Sequence, residues 1–172
     1  MSCSKQEPEM PNPNPKPLEA TLVRRYPCPV SLVWEMWSQP RHLERWLSPA
    51  DDIRMQVIEF DFREGGEYFF RYTWGENNIF PLRGRFLTIK PESSLIFTWL
   101  PQSPDPDAGK DTMVSVWFRA ISQEETEVEV RHTLFPDEPM RARHQEGWSG
   151  AFDRLHRLLT LPERAETKNP CA

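Results

Sequence analysis

The feature that most constrains this chain is an apolar stripe near its C-terminal end. In the segment from Gly147 to Leu159, the residues Trp148, Phe152, Leu155 and Leu159 recur at helical spacing. Ala151 and Leu158 widen the stripe, while Asp153, Arg154 and Arg157 fall opposite it. The pattern predicts a long amphipathic helix that starts near Glu138 to Arg141, just after Pro136, and stops before Pro162. Gly147 within it implies close approach to another backbone, or room for the Trp148 indole. A helix with so broad an apolar face needs a large apolar surface to lie on.

The preceding chain supplies that surface. Leu18 to Tyr26 alternates as a strand, ended by Pro27 and Pro29. Ser31 stands as a helix N-cap ahead of Val33, Trp34, Met36 and Trp37, and Pro40 starts a second short helix through Trp46. From Ile53 to Phe135 the period becomes two. Arg54 to Phe62 places Gln56, Ile58, Phe60 and Phe62 on one face. Glu67 to Trp74 gathers Tyr68, Phe70, Tyr72 and Trp74; Ile79 to Lys90 and Leu95 to Leu100 follow, the latter with Leu95, Phe97 and Trp99 together. Pro101 to Asp111 reads as a long exposed loop. Thr112 to Ile121 and Thr126 to Phe135 complete the set, with Val128, Val130, His132 and Leu134 sharing a face. The fold class is α+β: a curved antiparallel sheet of about seven strands, two short helices after the first strand, and a long C-terminal helix gripped by the sheet.

Composition limits the partners. The chain has 172 residues and a net charge of −5 without a basic cluster, which argues against nucleic acid. Residues 1–17 carry alternating prolines and read as a disordered leader, 18–161 as the folded domain, and 162–172 as a flexible tail. Cys3, Cys28 and Cys171 form neither a disulfide framework nor a zinc pattern, so the expected compartment is the reducing cytoplasm. No apolar run is long enough for a membrane span.

No catalytic motif emerges. His42, His132, His144 and His156 lack metal-ligand spacing, and there is no nucleophile elbow, phosphate loop or dinucleotide fingerprint. No metal, cofactor or catalytic residue is therefore assigned. Two roles stand open for His132: a hydrogen-bonded core histidine, or a polar anchor for a ligand. Seven tryptophans and ten phenylalanines also admit two readings, a filled core or the lining of a cavity. Arg83 and Arg85, with Arg63 and Arg71, read as a solvated outer face paired with Glu127 and Glu129.

Several landmarks, in order, carry a resemblance to a known family. They are Arg25-Tyr26, Pro29 to Trp34, Pro40 to Pro49, Phe62 to Tyr68 with Gly65-Gly66, Gly84 to Pro91, Leu95 to Trp99, Thr126 to His132, and His144 to Trp148. Together they resemble the START-like (SRPBCC), helix-grip superfamily, in the branch named after the activator of the heat-shock protein 90 ATPase. The resemblance covers roughly residues 18–160. Leu47 departs from it, standing where an aromatic is frequent, and the loop at 101–111 is longer than usual. Chaperone stimulation in the activator itself also depends on an additional N-terminal domain, for which a 17-residue leader leaves no room.

The resemblance implies a non-enzymatic domain that binds a small hydrophobic or aromatic ligand between sheet and helix. Candidate ligand-binding residues are Trp34, Trp37, Trp46, Phe60, Tyr68, Phe70, Trp99, His132, Trp148 and Phe152. A chaperone-associated or stress-response interaction module, with a chaperone or other protein partner, is the alternative. A cyclase- or hydrolase-like enzyme is a further one. Either a monomer or a homodimer fits.

Overall fold

The computed structural model describes residues 17–161; the remainder of the Pro-rich leader and the C-terminal tail lie outside the described residues. The elements run β1 (Ala20–Tyr26), α1 (Val30–Ser38), α2 (Pro40–Trp46), β2 (Ile53–Phe60), β3 (Glu67–Trp74), β4 (Asn78–Lys90), β5 (Ser94–Pro101), β6 (Thr112–Ser122), β7 (Glu125–Thr133) and α3 (Glu138–Thr160). The strands form one seven-stranded antiparallel sheet in the order β1-β7-β6-β5-β4-β3-β2. β1 and β2 are successive strands yet occupy opposite edges, and α1 and α2 bridge them. The predicted class and element order hold.

The concave face carries the core. Leu82, Phe86, Phe97, Val114, Val116, Phe118, Val128 and Val130 are buried, and they share one cluster with Trp148, Ala151, Phe152 and Leu155 of α3. Val33, Met36, Trp37, Leu43 and Trp46 close one end. Trp46 is fully buried, and its indole N–H donates to the Met36 carbonyl at 2.9 Å, which ties α2 to α1. Asp137 caps α3 by accepting from the Met140 backbone N–H at 2.8 Å.

Several local expectations need correction. A β-bulge between Val57 and Glu59 shifts the phase of β2. Met55 and Val57 point inward before it and Phe60 after it, while Ile58 is 42% exposed and Gln56 also faces out. The face Gln56-Ile58-Phe60-Phe62 is therefore split, with only its two phenylalanines in the core cluster. Leu134 lies past the end of β7 in a left-handed conformation (φ 68°) and is 61% exposed; Phe135 turns inward instead. Trp74 is exposed at the end of β3. Helix α1 starts at Val30 on an N-cap formed by Pro29, so Ser31 lies inside the first turn and makes no cap.

The close backbone approach in α3 falls at Gly150, not Gly147. A Cβ on Gly150 would sit 2.0 Å from the Pro49 carbonyl oxygen, whereas one on Gly147 would make ordinary contact with Pro49. Gly84 has a similar role in the sheet: a Cβ there would strike the Tyr68 ring at 2.3 Å. The vacant volume lets Tyr68 lie across β4 and donate to the Thr98 carbonyl at 2.6 Å.

On the outer face, Arg83 pairs with Glu59 and Arg85 with Glu67. Glu127 and Glu129 instead pair with Arg25, Arg119 and Arg131. The solvated, charge-paired surface is as expected; the pairing is different.

Candidate ligand-binding cavity

The segment from Pro101 to Asp111 is not a free loop. It folds over the end of the sheet and is fastened to the first turns of α3. Asp107 is 4% exposed, and both of its carboxylate oxygens accept from Nη2 of Arg143, at 2.7 and 2.6 Å. Lys110 Nζ adds a bond to Asp107 at 3.0 Å and another to the cap residue Asp137 at 3.2 Å. Burial opposes ionisation of Asp107, but the Arg143 and Lys110 bonds outweigh it and hold the carboxyl below the usual range.

Beneath this loop lies a cavity of about 330 Å³. Helix α3 presents one face to it, through Arg143, His144, Gly147, Trp148 and Ala151. The sheet contributes Tyr72, Phe80, Pro81, Leu82, Trp99 and Pro101. Leu47, Ser48, Pro49 and Ile53 close the side between α2 and β2, and Asp105, Pro106 and Asp107 belong to the fastened loop. The walls are apolar, with the polar groups gathered where loop and helix meet.

A buried relay ties the Trp148 indole to the backbone of Trp99. Trp148 Nε1–H donates to His132 Nδ1 at 3.1 Å, which leaves the proton of a neutral ring on Nε2. Nε2–H then donates to Thr112 Oγ1 at 2.7 Å, and the Thr112 hydroxyl donates to the Trp99 carbonyl at 3.0 Å. His132 is fully buried, and burial, with nearby His144 second, pushes its pKa well below the ordinary value. The neutral ring is the form the relay requires. Trp99 and Trp148 stand 5.6 Å apart; Trp148 is bonded to the histidine through its indole N–H, and Trp99 is linked to it through its backbone carbonyl and the Thr112 hydroxyl.

Of the ten residues predicted from sequence, Trp99 and Trp148 line the cavity. Trp37, Trp46 and Phe152 form a buried aromatic group beside it, with Trp37 and Trp46 centroids 4.7 Å apart. Trp34 and Phe60 lie with Phe62 at the far end of the core, and Tyr68 and Phe70 pack between the two ends. His132 sits behind the wall with both ring nitrogens engaged by protein. Sequence reasoning missed Tyr72, Phe80, Ile53, Arg143, His144 and the loop residues as lining. The helical spacing of 144, 147, 148 and 151 was the available signal for α3. For the loop there was none, because Asp107 meets its partner 36 residues away.

Among the described residues no group of three His, Cys, Asp or Glu side chains is placed to hold a metal ion. No described helix is long and apolar enough to cross a membrane.

A curved sheet around a C-terminal helix, with a cavity between them, defines the START-like helix-grip class. Within it, the family described as "Activator of Hsp90 ATPase homolog 1-like protein" matches residues 27–160, and the chain belongs to that family. No curated protein matches the chain. Among solved structures, a protein from Arthrobacter aurescens is similar at TM-score 0.76 and 21% identity, covering 90% of this chain and 93% of that one. One from Nitrosomonas europaea has TM-score 0.68 and 26% identity, with 83% and 94% covered. The AHSA1 protein from Silicibacter pomeroyi has TM-score 0.72 and 23% identity, with 82% and 96% covered.

Proposed function

We propose that this domain binds a small, mainly apolar molecule in the cavity between β3–β5, the fastened loop and α3, and acts by binding rather than by catalysis. The carrying observation is the wall itself. The Trp148 indole and the Trp99 backbone are both held by the His132 relay, which supports an apolar wall that is pre-formed. A cavity of about 330 Å³ falls at the lower end of the range for small-molecule sites, roughly 300–1,000 Å³. Trp99 and Trp148 would give contact area, with His132, Trp37, Trp46 and Phe152 packed behind or beside them and Trp34, Phe60, Tyr68 and Phe70 farther off in the core. A cyclase or hydrolase would need a titratable pair at the site; Asp107 is engaged by Arg143 and Lys110, so that further alternative would fall to His144 with Tyr72 or Asp105, and loss of a turnover in His144→Phe would favour it.

The family's name supports a second reading, a chaperone-linked interaction module. That reading would use the outer sheet, where Glu127 and Arg131 belong to a row of ion pairs, and would be indifferent to the cavity.

Titration of a library of small apolar compounds, followed by tryptophan emission and thermal unfolding, tests the proposal. A true ligand quenches emission saturably, adds about 2.7 kcal/mol at 100 times its dissociation constant, and loses its effect in Trp148→Ala. Absence of any saturable compound across a chemically broad library would reject the proposal and move attention to protein partners.

A further inference from the structure

His144 is the polar group of the cavity whose hydrogen-bonding capacity is left half used. Its Nδ1 lies 2.9 Å from the Met140 carbonyl oxygen. A carbonyl can only accept, so Nδ1 carries the proton and a neutral ring presents a bare lone pair at Nε2. No described protein group donates to that nitrogen, and it is not among the polar atoms sealed from solvent. Around the ring stand Trp99 of β5, 6.2 Å away, with His132 of β7 at 5.0 Å and Phe135 at 5.3 Å. None of these is hydrogen-bonded to Nε2.

We infer that, among apolar molecules of suitable size, the cavity selects those that present a hydrogen-bond donor, an N–H or O–H, to Nε2 of His144. The selection rests on the ligand-binding reading above and names the chemistry of its ligand. Carboxylates are disfavoured at the same place. Arg143, the cation of the lining, has its charge offset by Asp107 through Nη2, and Asp105 adds further negative charge. Tyr72 also lines the cavity with no described protein partner for its hydroxyl, but a hydroxyl can donate or accept and so does not favour donors.

The charged and titratable groups around His144 are Asp105 and Asp107 from the loop, with Lys110 bound to Asp107, Arg143 beside it on α3, His132 on β7, and Tyr72 on β3. Burial dominates among the influences and lowers the His144 pKa from 6.5, against the opposing pull of the Met140 carbonyl and the two aspartates. The acceptor is therefore present at neutral pH. It disappears as pH falls through the folded-state value, where Nε2 gains a proton and becomes a donor.

Carbazole and fluorene form the decisive probe pair, since they are nearly isosteric and differ by an N–H in place of a CH₂. The dissociation constants of both are measured by NMR titration of the full chain, of His144→Phe and of Tyr72→Phe. Wild type is expected to prefer carbazole roughly threefold to tenfold, the worth of one net hydrogen bond. The ratio of the two dissociation constants falls to about one in His144→Phe, whatever the absolute affinities, persists in Tyr72→Phe, and fades on acidification of the wild type below the ordinary histidine value. Equal binding of the two probes, or a preference that survives His144→Phe or follows Tyr72, overturns the selection and leaves the cavity reading standing. Failure of both probes to bind wild type overturns the cavity reading together with the selection. Should His144→Phe not fold, the acid titration of wild type decides, with fluorene as its internal control.

Discussion

Trp37 and Trp148 lie on the two sides of one boundary, their rings nearly parallel at 19° and 6.2 Å apart, and they meet opposite fates. On the Trp37 side, α1 and α2 cover the sheet; Trp46, Phe118 and Phe152 meet the indole edge-on, and it is only 2% exposed. The Trp37 indole N–H is buried without a described partner. On the Trp148 side the two helices do not reach, a polar-fastened loop takes their place, and the indole N–H has an acceptor in His132. The contrast shows that aromatic content does not decide between core and cavity. What decides is which element covers the rings, and whether that element packs by apolar contact or is held off at its edge by ion pairs.

The largest test of this contrast is Trp46→Ala. Removing a fully buried indole at the packed end should cost about 3–5 kcal/mol in denaturant unfolding. Trp99→Ala, at a partly buried indole on the cavity wall, should cost less, about 1–2 kcal/mol. If the two losses came out equal, the division into filled and open ends would be wrong.

His132 sharpens the comparison through pH. Its folded-state pKa is depressed, so the unfolded chain takes up the proton first. The stability it contributes is complete above 6.5 and falls as pH drops from there toward the folded-state value, by about 1.4 kcal/mol per pH unit. His132→Gln should flatten that slope and, by leaving the Trp148 indole or the Thr112 hydroxyl without its partner, cost about 1–3 kcal/mol at neutral pH. Urea unfolding across a pH series measures both effects.

Asp107→Asn should be milder. Arg143 is half exposed and can turn to water, so roughly 1 kcal/mol is expected. Faster hydrogen exchange confined to residues 101–111 would mark the loosened loop. The smallest effect belongs to Ile58→Thr, within about 0.5 kcal/mol, because the bulge turns that side chain outward. A loss of several kcal/mol there would mean that the strand keeps its unbulged register.

Much of this was legible in the chain. The stripe from Trp148 to Leu159 and the alternation after Ile53 record local periods, and local periods survive folding. What stayed hidden depends on partners distant in sequence. Phe60 could be placed inward only with the wrong neighbours, because a bulge adds one residue without leaving a composition signature. Gly147 drew attention by its place in the stripe, yet Gly150 is the one that meets Pro49. The cavity was harder still, since its rim is written in Asp107, Arg143 and His144, whose proximity no spacing announces.

The arrangement of the sheet edges bears on how the chain is made. β1 pairs only with β7, and Gln145 of α3 exchanges hydrogen bonds with the backbone of Thr21, 124 residues earlier. The first strand of this domain must wait for its last strand and helix before its edge is satisfied. Such long-range closure is slow, and it leaves the growing chain exposed to aggregation until α3 emerges. A ribosome-bound chain truncated before His132 should therefore remain protease-sensitive throughout, however complete its central hairpins.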